Sequence, residues 1–204
     1  MKTAINIGLA ILSIFLIYVL ISGIQGPIKF KEEYDVRRKA VIAKLEQNRD
    51  AQLAFRSLTK HYAPNYDTLK QVIMADSFVI ETVFGDVDAG EEVKIVTTMI
   101  SAKDSIVDGM GINLDSLMYV PYGNGAKFEL QADTTTYQSS NIPVVRCMTD
   151  FKTFMPEFSG VGLSDEDAKA MVLKYQRNYP KFDPEKSIGF GDMFKPSTAG
   201  NWEN

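Results

Sequence analysis

Residues 51–69 read AQLAFRSLTKHYAPNYDTL. The first part, through Lys60, is made of helix formers with no Gly or Pro. The next residues, His61 to Asp67, include Pro64, which forbids a continued helix. Asn65 or Asp67 can then cap a second, short helix over Thr68 to Asp76, with Leu69, Val72 and Ile73 facing inward. The stretch is therefore a boundary. From about residue 31 up to it the composition favours helix, and much of the chain after it is β-branched and aromatic. That order predicts an α+β protein: a long N-terminal helix, then a small, mostly antiparallel sheet with one or two short helices.

Upstream, residues 31–60 also lack Gly and Pro. On a helical wheel Val41, Leu45, Asn48, Gln52 and Phe55 share one side, with Ile42 and Leu53 at its edge. Lys39, Glu46, Asp50 and Ser57 lie opposite. Two amides in the middle of an apolar stripe are unusual. They suit hydrogen bonds to a partner helix or to the domain's own sheet, or else a half-exposed position. Asn48, Gln52 and Phe55 are accordingly candidate partner contacts.

Further upstream, residues 4–24 read AINIGLAILSIFLIYVLISGI, without a charged side chain. At about 1.5 Å per residue the run matches a hydrocarbon core of about 30 Å. It ends in Gly23-Ile24-Gln25-Gly26-Pro27, which is not a signal-peptidase pattern. The expectation is an uncleaved transmembrane anchor over residues 1–25, with the lipid bilayer as partner through residues 4–24. Pro27 is expected to kink or end the helix. Lys29, Lys31, Arg37, Arg38 and Lys39 come after the run, which by charge count keeps the rest of the chain in the cytoplasm. A short N-terminal tail carrying Lys2 is instead the start of a signal-anchor, which exports the downstream chain. Export from the inner membrane is the expectation, with a cytoplasmic domain as the alternative.

Charge divides the remainder. Residues 26–62 carry nine basic and five acidic side chains, and residues 63–204 carry twelve basic and twenty-one acidic ones. This predicts a basic helical stalk over 26–62, an acidic α+β domain over 63–182 and an irregular C-terminal tail over 183–204. An acidic domain argues against nucleic acid as a partner.

Within that domain, FVIETVF at 78–84 and VKIVTTMI at 93–100 flank an acidic turn and predict a hairpin. Leu114 to Val120 predicts a helical turn. Strands are expected at 126–132 and 142–148, joined by a polar loop, DTTTYQSSN. Ser164 is placed to cap a helix with Asp165, Glu166 and Asp167 in its first turn and Ala168, Met171, Val172 and Tyr175 on its buried face.

The inventory for chemistry is thin. His61, the single histidine, stands at a helix end, and Cys147, the single cysteine, stands in an apolar strand, where a buried thiol is the expectation. DVDAGEE at 86–92 falls short of a calcium loop. PYGNGAKF at 121–128 leads into a strand, so its glycines signal a turn and not a phosphate cradle. No catalytic residue, metal site or cofactor is expected. Tyr62, Tyr66, Tyr119, Tyr122 and Trp202 are the aromatic residues that could line a ligand groove. Trp202, the single tryptophan, lies two residues from the end in AGNWEN. A free tail has no use for an indole, whose burial is worth on the order of a few kcal/mol. Trp202 is expected to dock, on its own sheet or in a partner.

Two family resemblances add to this. AQLAFRSLTKHYAPNYDTL, with the apolar run before it, resembles the helix end of type II secretion pseudopilins, loosely and over about residues 4–75. That family's leader, processing site and helix glutamate have no counterpart here, so its processing and assembly chemistry are not implied. The stretches IKFKEEYDVRRKAVIAKLEQNRDAQLAFR, LDSLMYVPYGNGAKFELQAD and AGNWEN resemble a family of roughly 200-residue bacterial membrane-anchored proteins with no assigned activity. The resemblance implies a single anchor, an α+β domain and no catalytic residues. The expected function is a non-enzymatic assembly or scaffold subunit of an envelope complex, with a protein partner or a second copy. The alternative is a tethered ligand-binding or sensor domain.

Overall fold

The computed structural model describes residues 2–84, 94–180 and 182–203. The chain is α+β. It begins with a single helix, α1 (Lys2–Thr59), which continues through Pro27 where the sequence predicts a kink or stop. Every large apolar side chain described between Ile7 and Ile21 is exposed. Among the described residues no helix is long and apolar enough to cross a membrane, and the described side chains of the apolar run stop at Ile21.

From Phe30 onward α1 changes character. Phe30, Val41, Leu45, Asn48, Gln52 and Phe55 are buried, while Lys39, Glu46, Asp50 and Ser57 are exposed or half-exposed, as the wheel requires. Leu53, expected at the edge of the stripe, faces solvent. The segment expected to be a separate stalk is thus the central helix of the domain, because its apolar stripe is what the sheet packs against. The helix stops at Lys60, whose backbone is left-handed (φ 69°) and whose amide reaches the Arg56 carbonyl. Asn65 then caps α2 (Tyr66–Ala75), its Oδ1 accepting from the Thr68 amide at 2.8 Å. Leu69 and Ile73 are buried as expected.

Next in the chain is a hairpin, β1 (Ser77–Phe84) and β2 (Lys94–Ser101), which stands as a two-stranded sheet of its own. The acidic turn at 86–92 lies outside the described residues. A single π-helical turn, Asp104–Gly109, leads to turns through 114–118.

The second sheet has the order β3 (Glu129–Tyr137), β4 (Ser140–Asp150), β5 (Ser187–Asp192), all antiparallel. Two expectations are corrected here. DTTTYQSSN is not a loop: β3 and β4 run on to a two-residue turn at Gln138 and Ser139, both with positive φ, the geometry of a tight hairpin. The C-terminal segment is not irregular either, since it supplies β5. Gly191 has φ +86°, and a Cβ there would overlap the Val145 carbonyl oxygen of the neighbouring strand.

Between β4 and β5 the chain makes α3 (Phe151–Phe154), a 3₁₀ turn (Pro156–Phe158) and α4 (Asp165–Gln176). Ser164 caps α4 by accepting from the Asp167 amide. The expected buried face of α4 is at most half-buried: Met171, Val172 and Tyr175 are covered only in part, so α4 lies on the core and not in it.

Two apolar clusters result, both strung on α1. One joins Phe30, Val41 and Leu45 to β4, β5 and the 151–158 segment. The other joins Ala51 and Phe55 to α2 and residues 102–117.

Candidate functional site

The sequence-predicted contacts on α1 are engaged within the chain. Gln52 forms a two-bond pair with Ala63. Its Nε2 donates to the Ala63 carbonyl at 3.2 Å and its Oε1 accepts from the Ala63 amide at 2.9 Å. The chain leaving α1 folds back onto the helix, and the buried amide supplies the partners that a regular element would have given Ala63. Asn48 donates to the Leu117 carbonyl at 3.0 Å and to the Lys44 carbonyl at 2.9 Å, leaving its Oδ1 without a partner. Phe55 is buried beside them. In this fold Asn48, Gln52 and Phe55 have no surface to offer a second protein.

Below this lies an aromatic collar that the sequence does not announce, because FKTFMPEF at 151–158 matches no regular element. Its Phe spacing of three and four is the available signal. Phe30 is ringed by Tyr175 (4.6 Å, stacked), Phe182 (5.0 Å), Tyr179 (5.1 Å) and Phe158 (5.2 Å, edge-on). Gln176 Nε2 donates to the Phe182 carbonyl and closes the ring of elements. Arg37 fastens the same segment. Its guanidinium donates to Glu33, Glu157 and the Phe154 carbonyl, at 2.8, 2.8 and 3.0 Å. The hydrogen bond from Arg37 holds the Glu157 carboxyl below its ordinary value of 4.5.

The C-terminus docks on its own sheet. The Gly191 amide donates to the Ala199 carbonyl, and the Asn201 amide donates to the Gly189 carbonyl. The Asn201 side chain adds two bonds, accepting from the Gly189 amide at 3.2 Å and donating to the Ser187 carbonyl at 3.0 Å. Trp202 packs, half-buried, against the first cluster and covers Gly200, where a Cβ would run into the indole. Arg49 on α1 holds Glu203 at 2.6 Å, and this hydrogen bond keeps the Glu203 carboxyl below its ordinary value.

This docking builds a cleft of about 280 Å³, walled by Tyr34, Arg38, Phe151, Lys186 and the Asn201–Trp202 end. A second cleft of about 460 Å³ lies against it and shares Tyr34 and Arg38. Of the five aromatic residues named as groove candidates, Trp202 is the one that lines the first cleft. Tyr62 is buried under Arg56, whose Nη1 donates to its hydroxyl. Tyr66 packs between both clusters. Tyr119 and Tyr122 are exposed, with Lys127 and Arg37 over their respective rings.

The two chemically versatile side chains sit apart from the cleft. Cys147 is buried in β4 with the Tyr66 hydroxyl 3.6 Å from its Sγ, and burial pushes its thiol up to about 12. His61 is exposed at the end of α1, its Nδ1 3.2 Å from the Thr59 carbonyl oxygen. Among the described residues no group of three or more His, Cys, Asp or Glu could hold a metal ion.

Compared with models of protein families, with characterised proteins and with solved structures, the chain matches none.

Proposed function

We propose that this protein is a single-pass, non-enzymatic subunit of the bacterial cell envelope that serves in assembly or scaffolding. Residues 4–24 would lie in the inner membrane and the domain on its outer side. The observation that carries this is the continuity of α1, whose exposed apolar end and buried C-terminal half belong to one helix. A helix that is lipid-compatible at one end and the core of a domain at the other couples the two rigidly, which a flexible linker does not. Its packing against an antiparallel sheet supports the finer, pilin-like reading. The β1–β2 hairpin supports a protein partner or a second copy. Among the described residues each of its strands has one edge unpaired, and the cross-strand neighbours Val79 and Met99 are both exposed. A thiol raised by burial and a histidine turned to its own backbone support a non-enzymatic reading over a nucleophilic one.

Three measurements test this. Carbonate-washed membranes should retain the chain. A reporter fused after Asn204 that is active only outside the cytoplasm should be active. The mass in mild detergent should exceed that of one chain. Release by carbonate would remove the anchor, a silent reporter would place the domain in the cytoplasm, and a clean monomer that co-purifies with nothing would remove the scaffold.

The cleft beneath Trp202 favours a second reading, a tethered ligand-binding domain, because charged and aromatic groups converge there in a concave site.

A further inference from the structure

Among the four arginines of α1, three are engaged. Arg37 holds Glu33 and Glu157, Arg49 holds Glu203, and Arg56 holds the Tyr62 hydroxyl. Arg38 has no hydrogen-bond partner and no carboxylate at ion-pair distance among the described residues, although it is half-buried. Its guanidinium is thus left with donors that no carboxylate of the described residues occupies. Arg38 lies on the wall shared by both clefts. The first is also lined by Lys186, exposed and likewise without a carboxylate partner among the described residues. Two other polar side chains of that cleft are already engaged. Asn201 is bonded to β5, and the Ser187 hydroxyl donates to Asp150 at 2.7 Å. The acids adjoining the lining residues are mostly held elsewhere: Asp150 by Ser187 with Lys152 at 3.9 Å, Glu185 by Lys152 and Glu203 by Arg49, while Asp35 is next to Tyr34 in sequence. The remaining lining is aromatic and apolar: Tyr34, Phe151, Ile188 and Trp202.

We propose that this cleft binds a small anion, a carboxylate or phosphate carried on a flat or apolar body, with Arg38 and Lys186 taking the charge and Tyr34 and Trp202 the body. A guanidinium offers paired N–H donors matched to either oxyanion. The aromatic walls recognise a ring or short apolar group. A volume of about 280 Å³ limits the occupant to a single small group. The terminal AGNWEN then has a purpose beyond capping the sheet, since it is one wall of the site. This inference rests on the ligand-binding reading and deepens it; it does not depend on the anchor.

Trp202 is the protein's single tryptophan, so its emission reads the cleft directly. The full chain in phosphatidylcholine nanodiscs is titrated with phenyl phosphate, benzoate and neutral benzyl alcohol, with excitation at the red edge of the indole band. The anionic probes should shift Trp202 saturably, and benzyl alcohol should bind at least about tenfold more weakly. Arg38→Gln and Lys186→Gln should each weaken the anionic probes by about tenfold or more, with Trp202 emission unchanged before titration. Lys195→Gln, outside the cleft, should bind as the parent does. Nanodiscs containing phosphatidylglycerol separate the sources. A shift like that of phenyl phosphate makes the anion a lipid headgroup, and its absence makes it a soluble ligand. Neutral and anionic probes binding alike, or R38Q and K186Q binding as the parent, would overturn the anion assignment while leaving the cleft a ligand site. No saturable shift with any probe would remove the ligand-binding reading as well.

Discussion

Gln52 replaces a missing piece of secondary structure. Ala63 lies between α1 and α2, belongs to neither helix, and is buried. Replacing Gln52 with Leu keeps the apolar stripe and much of the volume but strips both partners from that backbone. Gln52→Leu should therefore destabilise the protein by about 1–3 kcal/mol, read as a lower urea midpoint at unchanged slope. A stability equal to the parent would mean that water satisfies Ala63 equally well. Arg37 and Glu157 carry a different signature. The folded carboxyl of Glu157 titrates below its ordinary 4.5, so the pair's contribution is fully present above that value. It is lost as the pH falls through the folded value. Glu157→Gln should lower stability near neutrality by the small contribution of an exposed, screened pair, match the parent at low pH, and so flatten the acid limb below about pH 4.5 by that same small amount. An equally steep acid limb in the variant would assign that limb to other carboxyls.

At the scale of elements, the β3–β4 hairpin is held together despite its turn. Gln138 and Ser139 both occupy the left-handed region, which Asn and Gly adopt with far less strain. The double change Gln138→Asn, Ser139→Gly should stabilise by about 0.5–1 kcal/mol, or a few degrees in Tm for a chain of this size. No gain would mean that the flanking strands, exposed at Ser140 and Asn141, fray independently of the core. The same turn explains why part of the sheet is hidden in the residues. The amphipathic stripe of α1, the Asn65 and Ser164 caps and the β1–β2 hairpin are legible because their side chains carry a period or a cap signature. Gln-Ser carries no turn signature, so DTTTYQSSN reads as a loop. In β5, SIGFGD alternates Ile and Phe with Gly, so one face of the strand has no side chain to declare it. Gly191 is required by a main-chain approach from Val145, and sequence periodicity does not register backbone neighbours. Of the cleft, Trp202 is legible as a docking residue. Tyr34, Arg38 and Lys186 are not, since residues 34–38 and 186–202 meet only when the tail closes on the sheet.

For the whole molecule, the decisive fact is where the domain begins. Among the described side chains the first buried one is Phe30, and the collar of Phe158, Tyr175, Tyr179 and Phe182 closes around it. Most of the sequence expected to form a stalk is therefore inside the fold, and the packed domain begins soon after Pro27 and not near residue 62. Two truncations separate these views. A chain beginning at residue 27 removes most of the exposed apolar residues of α1 and keeps the whole collar. It should fold cooperatively without detergent. A chain beginning at residue 40 still contains Val41, Leu45 and the second cluster but loses Phe30, Tyr34 and Arg37. The aromatic residues facing them would be left without a floor. Losing a single large core aromatic costs about 3–5 kcal/mol, a large part of the total stability of an ordinary domain. The shorter chain should lose its cooperative transition and its near-ultraviolet aromatic signal together. Should it fold as well as the longer one, the collar would be peripheral and α1 up to residue 39 would be a stalk after all. Phe30→Ala in the full chain supplies the intermediate case. It should lower the unfolding midpoint while leaving the apolar run at 4–24 unchanged, so that the proposed membrane retention and the stability of the domain are read separately.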